Sequence, residues 1–181
     1  FYTGMYHAFL QPNLFNDCNK DYRGTDKKEY TGADFDNYTV FSLWDTYRAA
    51  HPLYTILQPE RVPDFIRSML AIYEQQGLLP VWHLYGSDTK EMIGIQSVPV
   101  IADAILKGVP GFDYEKAFEA MKSSMLSNYK GLEYLKEGNY IPADREKESV
   151  AKGLEYAIAD WGVAQVAKKL GKEEDYRWFK A

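Results

Sequence analysis

Cysteine and histidine are scarce in this 181-residue chain. One cysteine, Cys18, cannot form a disulfide within the chain, and it excludes a zinc site built from several cysteines. The three histidines, His7, His51 and His83, stand apart from one another in the sequence, so each is expected to be structural and not a metal ligand. No stretch approaches the ~20 consecutive apolar residues of a membrane-spanning helix. The sequence therefore predicts neither a disulfide nor a membrane span.

Basic residues are also outnumbered. The chain has 21 lysines and arginines against 26 aspartates and glutamates, which gives a net charge of -5. Binding to a nucleic-acid backbone needs a basic surface, so we expect no nucleic-acid partner. Aromatic residues, in contrast, are plentiful, with 15 tyrosines and 4 tryptophans. Aromatic rings pack protein cores and also stack on apolar ring faces, including those of sugars, so their abundance is compatible with a sugar ligand and equally with a packed core.

Helical spacing of apolar residues dominates the middle of the chain. The pattern predicts a helix that starts near Val62 and closes at Gly77, and a second that is capped by Ser97 and stops at Gly108. Asp113 is expected to cap a third helix. A fourth runs from about residue 148 to 170, and its predicted core stripe is Val150, Leu154, Ala157, Ile158 and Trp161. Strand signals are weak and confined to short pieces such as "LPVWHL".

Both ends of the chain run like the interior of a helix. "FYTGMYHAFL" has no preceding cap, and "EEDYRWFKA" has no terminating glycine or proline. We therefore expect an all-α segment of a longer domain, with its helices joined by long polar loops. The two most polar loops, residues 16–39 and 84–96, are where binding groups are expected. The acids of residues 16–39 lack the regular spacing of calcium ligands, so ordinary solvation is the expectation there.

Trp44, Asp45 and Arg48 stand close together where a helix is expected to begin. Asp45 is expected either to act locally, as a helix cap or as the i, i+3 partner of Arg48, or to bind a sugar. In the second case its carboxylate accepts from sugar hydroxyls beside the Trp44 ring. Asp88 and Glu91 are two further acids three residues apart. They are expected to stand too close for an inverting acid–base pair, and Asp88 remains open between a solvated loop acid and a site residue.

Several long blocks, "FSLWDTYR", "LPVWHLYGSDTKEMIGIQ", "SVPVIADAILKG" and "YIPAD", resemble glycoside hydrolase family 92. Its members are calcium-dependent, exo-acting, inverting α-mannosidases, for example α-1,2-mannosidases. The resemblance implies that residues 1–181 form part of an (α/α)6 toroid, without the N-terminal β-sandwich and the C-terminal half of the toroid. It also implies a mannose-containing glycan as substrate, calcium as cofactor and an exported protein, periplasmic or at the cell surface.

The resemblance further implies a binding role for four residues. Asp45 would hold mannose hydroxyls with Trp44 beside it, and Asp88 and Gln96 would line the same pocket. Two positions depart from the family pattern, because Ser87-Asp88-Thr89 stands where Asn-Glu-Thr is expected and Gln96 where a histidine is common. The family's general acid, base and calcium ligands belong to downstream motifs, so the segment alone is expected to be inactive and no catalytic residue is assigned. A non-catalytic helical scaffold or binding module, and an (α/α)6 hydrolase for another sugar, are the alternatives.

Overall fold

The computed structural model describes residues 1–180, which are built mainly of helices. Nine helices lie within that range: α1 (Tyr2–Ala8), α2 (Leu43–Thr46), α3 (Ala50–Leu57), α4 (Val62–Gln76), α5 (Ser97–Lys107), α6 (Tyr114–Met125), α7 (Leu132–Gly138), α8 (Ser149–Lys169) and α9 (Glu173–Lys180). No helix in this range is both long enough and apolar enough to cross a membrane.

Seven short strands accompany the helices in the first half of the chain: β1 (Asn13–Leu14), β2 (Tyr22–Arg23), β3 (Glu29–Tyr30), β4 (Tyr38–Thr39), β5 (Phe41–Ser42), β6 (Trp82–Leu84) and β7 (Ser87–Asp88). They form three antiparallel sheets, β1 with β4, β2 with β3, and β5–β6–β7. The all-α prediction is thus confirmed only in part, as a helix-rich fold. Strands of two or three residues are too short to show an alternating pattern in sequence.

The core lies between the longer helices. α8 packs against α5, α6 and α9, and α5 also contacts α3, α4 and α6. The helices predicted from apolar spacing are confirmed as α4, α5 and α6, and their apolar faces are packed, because Ile66, Met69, Ile101, Ile105 and Met121 are all fully buried. These helices form the rigid frame that carries the loops and short strands.

Helix ends follow the predicted signals at three of four positions. Gly77 and Gly108 end α4 and α5 in the left-handed conformation, with φ of 75° and 77°. The Asp113 carboxylate caps α6 by accepting from the Lys116 backbone N–H at 3.0 Å. The predicted Ser97 cap was wrong. The preceding residue, Gln96, already has helical dihedral angles, so Ser97 lies inside the first turn and its hydroxyl makes no cap.

The predicted core stripe of α8 was also wrong. Val150, Leu154, Ala157, Ile158 and Trp161 are exposed. The buried face is the opposite one, with Tyr156, Ala159 and Val163 at the core. α8 carries apolar residues on both faces, so the period alone could not identify the packed one. Small residues identify the packed face, since a Cβ added at Gly162 would lie 3.2 Å from Ala102 Cβ on α5.

Candidate functional site

One small sheet brings two of the sequence blocks together. In the β5–β6–β7 sheet Ser42 pairs with Trp82, and His83 pairs with Asp88. The chain turns from β4 into β5 at Val40, whose φ of 60° is rare for a β-branched residue. This turn places "FSLWDTYR" beside the hairpin of "LPVWHLYGSD", although about forty residues separate the two blocks.

Asp45 lies in the four-residue helix α2 and is exposed. Its carboxylate accepts a hydrogen bond from the Ser42 hydroxyl at the start of the helix. The Asp45–Arg48 pair that the spacing allows does not form, because the Arg48 guanidinium reaches Glu155 instead. Within residues 1–180 the Asp45 carboxylate therefore has one donor, and it keeps most of its accepting capacity free.

Trp44 is half-buried next to Asp45. Its indole N–H is buried, and no acceptor among residues 1–180 lies within hydrogen-bonding distance. A buried donor without an acceptor is rare in folded proteins and costs about 1–3 kcal/mol. The motif thus combines a free carboxylate with an unsatisfied neighbouring donor.

Glu155 on α8 links three separate segments of the chain. Its carboxylate accepts from the Tyr47 hydroxyl at 3.0 Å, from the Gln96 amide at 2.7 Å and from Arg48 Nη2 at 3.3 Å. Glu155 is 6% exposed. A buried carboxylate is tolerated only when it is well hydrogen-bonded and paired with a positive charge, and here both conditions are met. Burial, together with the bond to Glu155, also raises the pKa of the Tyr47 hydroxyl, which therefore remains a donor.

Gln96 lies below the surface, at 1% exposure, with its amide nitrogen on Glu155. Its carbonyl oxygen has no donor within the described part of the chain. Gly94 has a φ of 79°, and a Cβ there would collide with the Gln96 amide and lie 3.1 Å from Glu155 Cβ. Glycine at position 94 lets the loop pass directly over the Gln96–Glu155 contact. The sugar contact of Gln96 stays a prediction, while its observed partner is Glu155.

Asp88 has the opposite environment to Asp45. Its Oδ1 accepts from the backbone N–H groups of Trp82 at 2.9 Å and Lys90 at 3.0 Å. Its Oδ2 accepts from the Val81 N–H at 2.9 Å and the Gln76 side chain at 3.2 Å. Four donors fill the accepting capacity of a carboxylate. Asp88 therefore fastens the β6–β7 hairpin to α4, and its role as a sugar ligand stays a prediction.

Two histidines lie in the same part of the fold. His83 is held by the hydroxyls of Thr39, at 3.0 Å from Nδ1, and of Thr25, at 3.2 Å from Nε2. His51 is buried against the rings of Phe41 and Tyr54. Burial lowers the pKa of both imidazoles to about 4, so both are neutral at pH 7. In the described residues no three His, Cys, Asp or Glu side chains converge as a metal-binding group.

Sequence reasoning missed Tyr47 and Glu155. The two residues are 108 positions apart, and no local pattern connects them. The available signal was a glutamate on the α8 face that also carries Tyr156 and Ala159, since acids rarely occupy a packed helix face without a partner. Because the opposite face of α8 was predicted to be buried, Glu155 was not recognised as a buried acid.

Comparison with known proteins identifies the family. The model of the glycosyl hydrolase family 92 catalytic domain matches residues 1–181. A family GH92 alpha-mannosidase of Bacteroides thetaiotaomicron, also solved with mannoimidazole, superimposes with a TM-score of 0.96 at 52% identity, over 99% of this chain and 25% of that one. A GH92 inverting mannosidase of the same organism gives a TM-score of 0.90 at 34% identity, over 99% of this chain and 26% of that one.

A curated relative extends the comparison to a fungus. An uncharacterized secreted glycosidase of Arthroderma benhamiae is 27% identical over 146 residues, which cover 71% of this chain and 19% of the relative. The chain thus spans about a quarter of the solved mannosidases and about a fifth of the curated relative.

Proposed function

The chain belongs to glycosyl hydrolase family 92, and we propose that the full-length protein is an α-mannosidase. It releases terminal mannose from glycans with inversion at the anomeric carbon. Two relatives support the proposal, since the structure at 52% identity is of an alpha-mannosidase and the structure at 34% identity is of an inverting mannosidase. Residues 1–180 contribute part of the sugar pocket.

The finer architecture belongs to the same proposal. The helices of this chain form one part of an (α/α)6 toroid in a catalytic domain that also includes a β-sandwich. The exposed apolar face of α8, with Val150, Leu154 and Trp161, supports this arrangement because such a face suits packing against further helices.

The observation that carries the binding role is the free carboxylate of Asp45. With only Ser42 as a donor, it can accept hydrogen bonds from the hydroxyls of a mannose ring. Trp44 supplies an indole ring beside it. Asp88 and Gln96 support this site through the protein frame, Asp88 by fixing the hairpin and Gln96 by holding Glu155.

The chemistry proposed for these residues is binding and orientation of the ring. An inverting glycosidase needs a carboxylic acid that protonates the leaving oxygen, and a carboxylate about 6.5–9.5 Å away that activates water. Asp88 does not suit either role because its oxygens already accept four hydrogen bonds. We therefore propose that the acid and the base come from other residues of the full-length protein.

Calcium and export complete the proposal. Within residues 1–180 no three His, Cys, Asp or Glu side chains converge as a metal-binding group. We therefore propose that other residues of the full-length protein bind the calcium. Export is supported by the curated relative, which is named a secreted glycosidase.

The test is hydrolysis of an aryl α-mannoside by the full-length protein. We expect mannose release, with β-mannose as the first anomer seen by proton NMR, and no release from the matching β-mannoside. Retention of the α-anomer would contradict inversion. Specific binding of a mannose-containing glycan without turnover would instead favour the non-catalytic binding module.

A further inference from the structure

Glu155 divides its two carboxylate oxygens between different partners. Oε2 accepts from both the Tyr47 hydroxyl and the Gln96 amide. Oε1 accepts from Arg48 alone. Because Glu155 itself is buried, it is placed to act on its neighbours and not on a ligand. The oxygen that holds Arg48 is separate from the oxygen that ties the loop and α8 together.

Arg48 is the member of this group that reaches solvent. Its side chain is 64% exposed, and its guanidinium lies 5.1 Å from the centre of the Tyr47 ring. A guanidinium has five N–H donors in a fixed plane, and Nη2 points one of them at Glu155. The Tyr47 ring and the Glu155 carboxylate together define where that plane lies, which leaves further donors directed outward.

We propose that Arg48 is a further sugar-contacting residue of this site and that Glu155 is the positioning residue that holds it. The inference rests on the proposed function. Asp45, three residues earlier, offers an exposed acceptor, and Arg48 offers exposed donors. Sugar hydroxyls both donate and accept, so the two side chains can bind neighbouring hydroxyls of one ring. Since Glu155 balances the charge of Arg48, the pair suits an uncharged sugar more than a phosphorylated one.

One substitution separates the two tasks of Glu155. In Glu155→Gln the amide oxygen can take the place of Oε2 and still accept from Tyr47 and Gln96. The amide nitrogen then replaces Oε1, and as a donor it cannot hold the Arg48 guanidinium. The variant therefore keeps the structural contacts and removes the positioning of Arg48.

The experiment measures kcat and KM of the full-length protein on an aryl α-mannoside. We expect Arg48→Met and Glu155→Gln each to lower kcat/KM by about ten- to a hundredfold, mainly through KM, because a hydrogen bond from a charged group to the sugar is lost. Glu155 acts through Arg48, so the double variant should lie within about threefold of Arg48→Met. Arg48→Lys should recover part of the loss, since it restores the charge without the planar fork.

Control variants separate this role from a loss of folding. Arg177→Met removes a different exposed arginine with a carboxylate partner, and Asp160→Asn removes a carboxylate elsewhere on α8. Both should keep wild-type kcat/KM. Thermal melting of every variant, with Arg48→Lys as the substitute if Arg48→Met does not fold, shows that the kinetic effects come from folded protein.

Three outcomes would overturn the inference. The first is a wild-type kcat/KM in Arg48→Met. The second is a double variant in which the two losses multiply, because Glu155 would then act independently of Arg48. The third is an inactive wild-type protein, which would refute the proposed function and this inference with it, whereas the first two refute the inference alone.

Discussion

The helical turn that carries Asp45 directly follows strand β5, and the hairpin that carries Asp88 belongs to the same sheet as β5, yet the two carboxylates have opposite surroundings. Asp45 is exposed and receives one hydrogen bond, from a side chain three residues away. Asp88 is half-buried and receives four, three of them from backbone N–H groups. Both are aspartates within sequence blocks that resemble the family, so neither the residue type nor the block separates them.

The difference lies in unused accepting capacity. A carboxylate has about four acceptor sites, and a ligand can use only those that the protein leaves open. All four acceptor sites of Asp88 are used by protein donors, so its observed role is structural. Asp45 has several open acceptor sites, which makes it available to sugar hydroxyls. The comparison predicts that substitution at Asp88 acts on stability and substitution at Asp45 on activity.

Asp88→Ala should have the largest effect. The backbone N–H groups of Val81, Trp82 and Lys90 lose their acceptor, and unsatisfied donors of this kind cost about 1–3 kcal/mol each when water cannot replace the partner. We expect the free energy of unfolding to fall by about 3–4 kcal/mol, measured by urea denaturation. Glu91→Ala, an exposed acid three residues on, is the control and should change it by less than about 0.5 kcal/mol.

A small stability loss in Asp88→Ala would contradict the structural role of Asp88 in the hairpin. It would mean that water takes over the three donors and that Asp88 is not required for the β6–β7 turn. Asp88 would then be free for a ligand in the same sense as Asp45.

Asp45→Ala should affect activity more than stability. Hydrogen bonds between a charged group and sugar hydroxyls are worth roughly 1.5–3 kcal/mol, so kcat/KM on an α-mannoside should fall by about ten- to a hundredfold. Loss of the local contact with Ser42 should lower the free energy of unfolding by about 1 kcal/mol or less. If Asp45→Ala has a lower melting temperature but a normal kcat/KM, then Asp45 only stabilises the start of α2 and does not bind the sugar.

The frame of the molecule was predictable from sequence more fully than the site. The stripes of α4, α5 and α6 and the caps at Gly77 and Asp113 follow from local rules, because each depends on residues within one turn. The Glu155 contacts were not predictable, since they join Tyr47, Arg48 and Gln96 across 59 to 108 positions. The free state of Asp45 and the engaged state of Asp88 likewise depend on which donors the fold brings to them.

Two buried histidines, His51 and His83, lie near these regions, and both should lower the stability of the fold at acid pH. The folded pKa of His51 and His83 is about 4, below the unfolded value near 6.5. The unfolded chain therefore binds more protons between these values, so stability is full above pH 6.5 and is lost as pH falls towards 4. The slope is roughly 1.4 kcal/mol per pH unit for each histidine.

His51→Phe is the variant that isolates one of them. The His51 ring contacts Phe41 and Tyr54, so a phenyl ring suits the same surroundings. Between pH 6.5 and 5 the variant should lose roughly 1.4 kcal/mol less per pH unit than the wild type, measured by urea denaturation at each pH. An unchanged slope would show that His51 is not buried in its neutral form in solution.

The smallest expected effect is the coupling between Asp45 and Arg48. If Asp45 is free, as its contrast with Asp88 requires, then removing Arg48 should not change what Asp45→Ala does to stability. A double-mutant cycle of Asp45→Ala and Arg48→Met should give a coupling energy below about 0.3 kcal/mol. The matched cycle of Arg48→Met and Glu155→Gln should give up to about 1 kcal/mol, because that pair is in contact at 3.3 Å and the arginine is mostly exposed.

A larger coupling energy for the Asp45 cycle than for the Glu155 cycle would mean that Arg48 pairs with Asp45 in solution. The Asp45 carboxylate would then be hydrogen-bonded within the protein, as that of Asp88 is, and the distinction between the two regions would disappear.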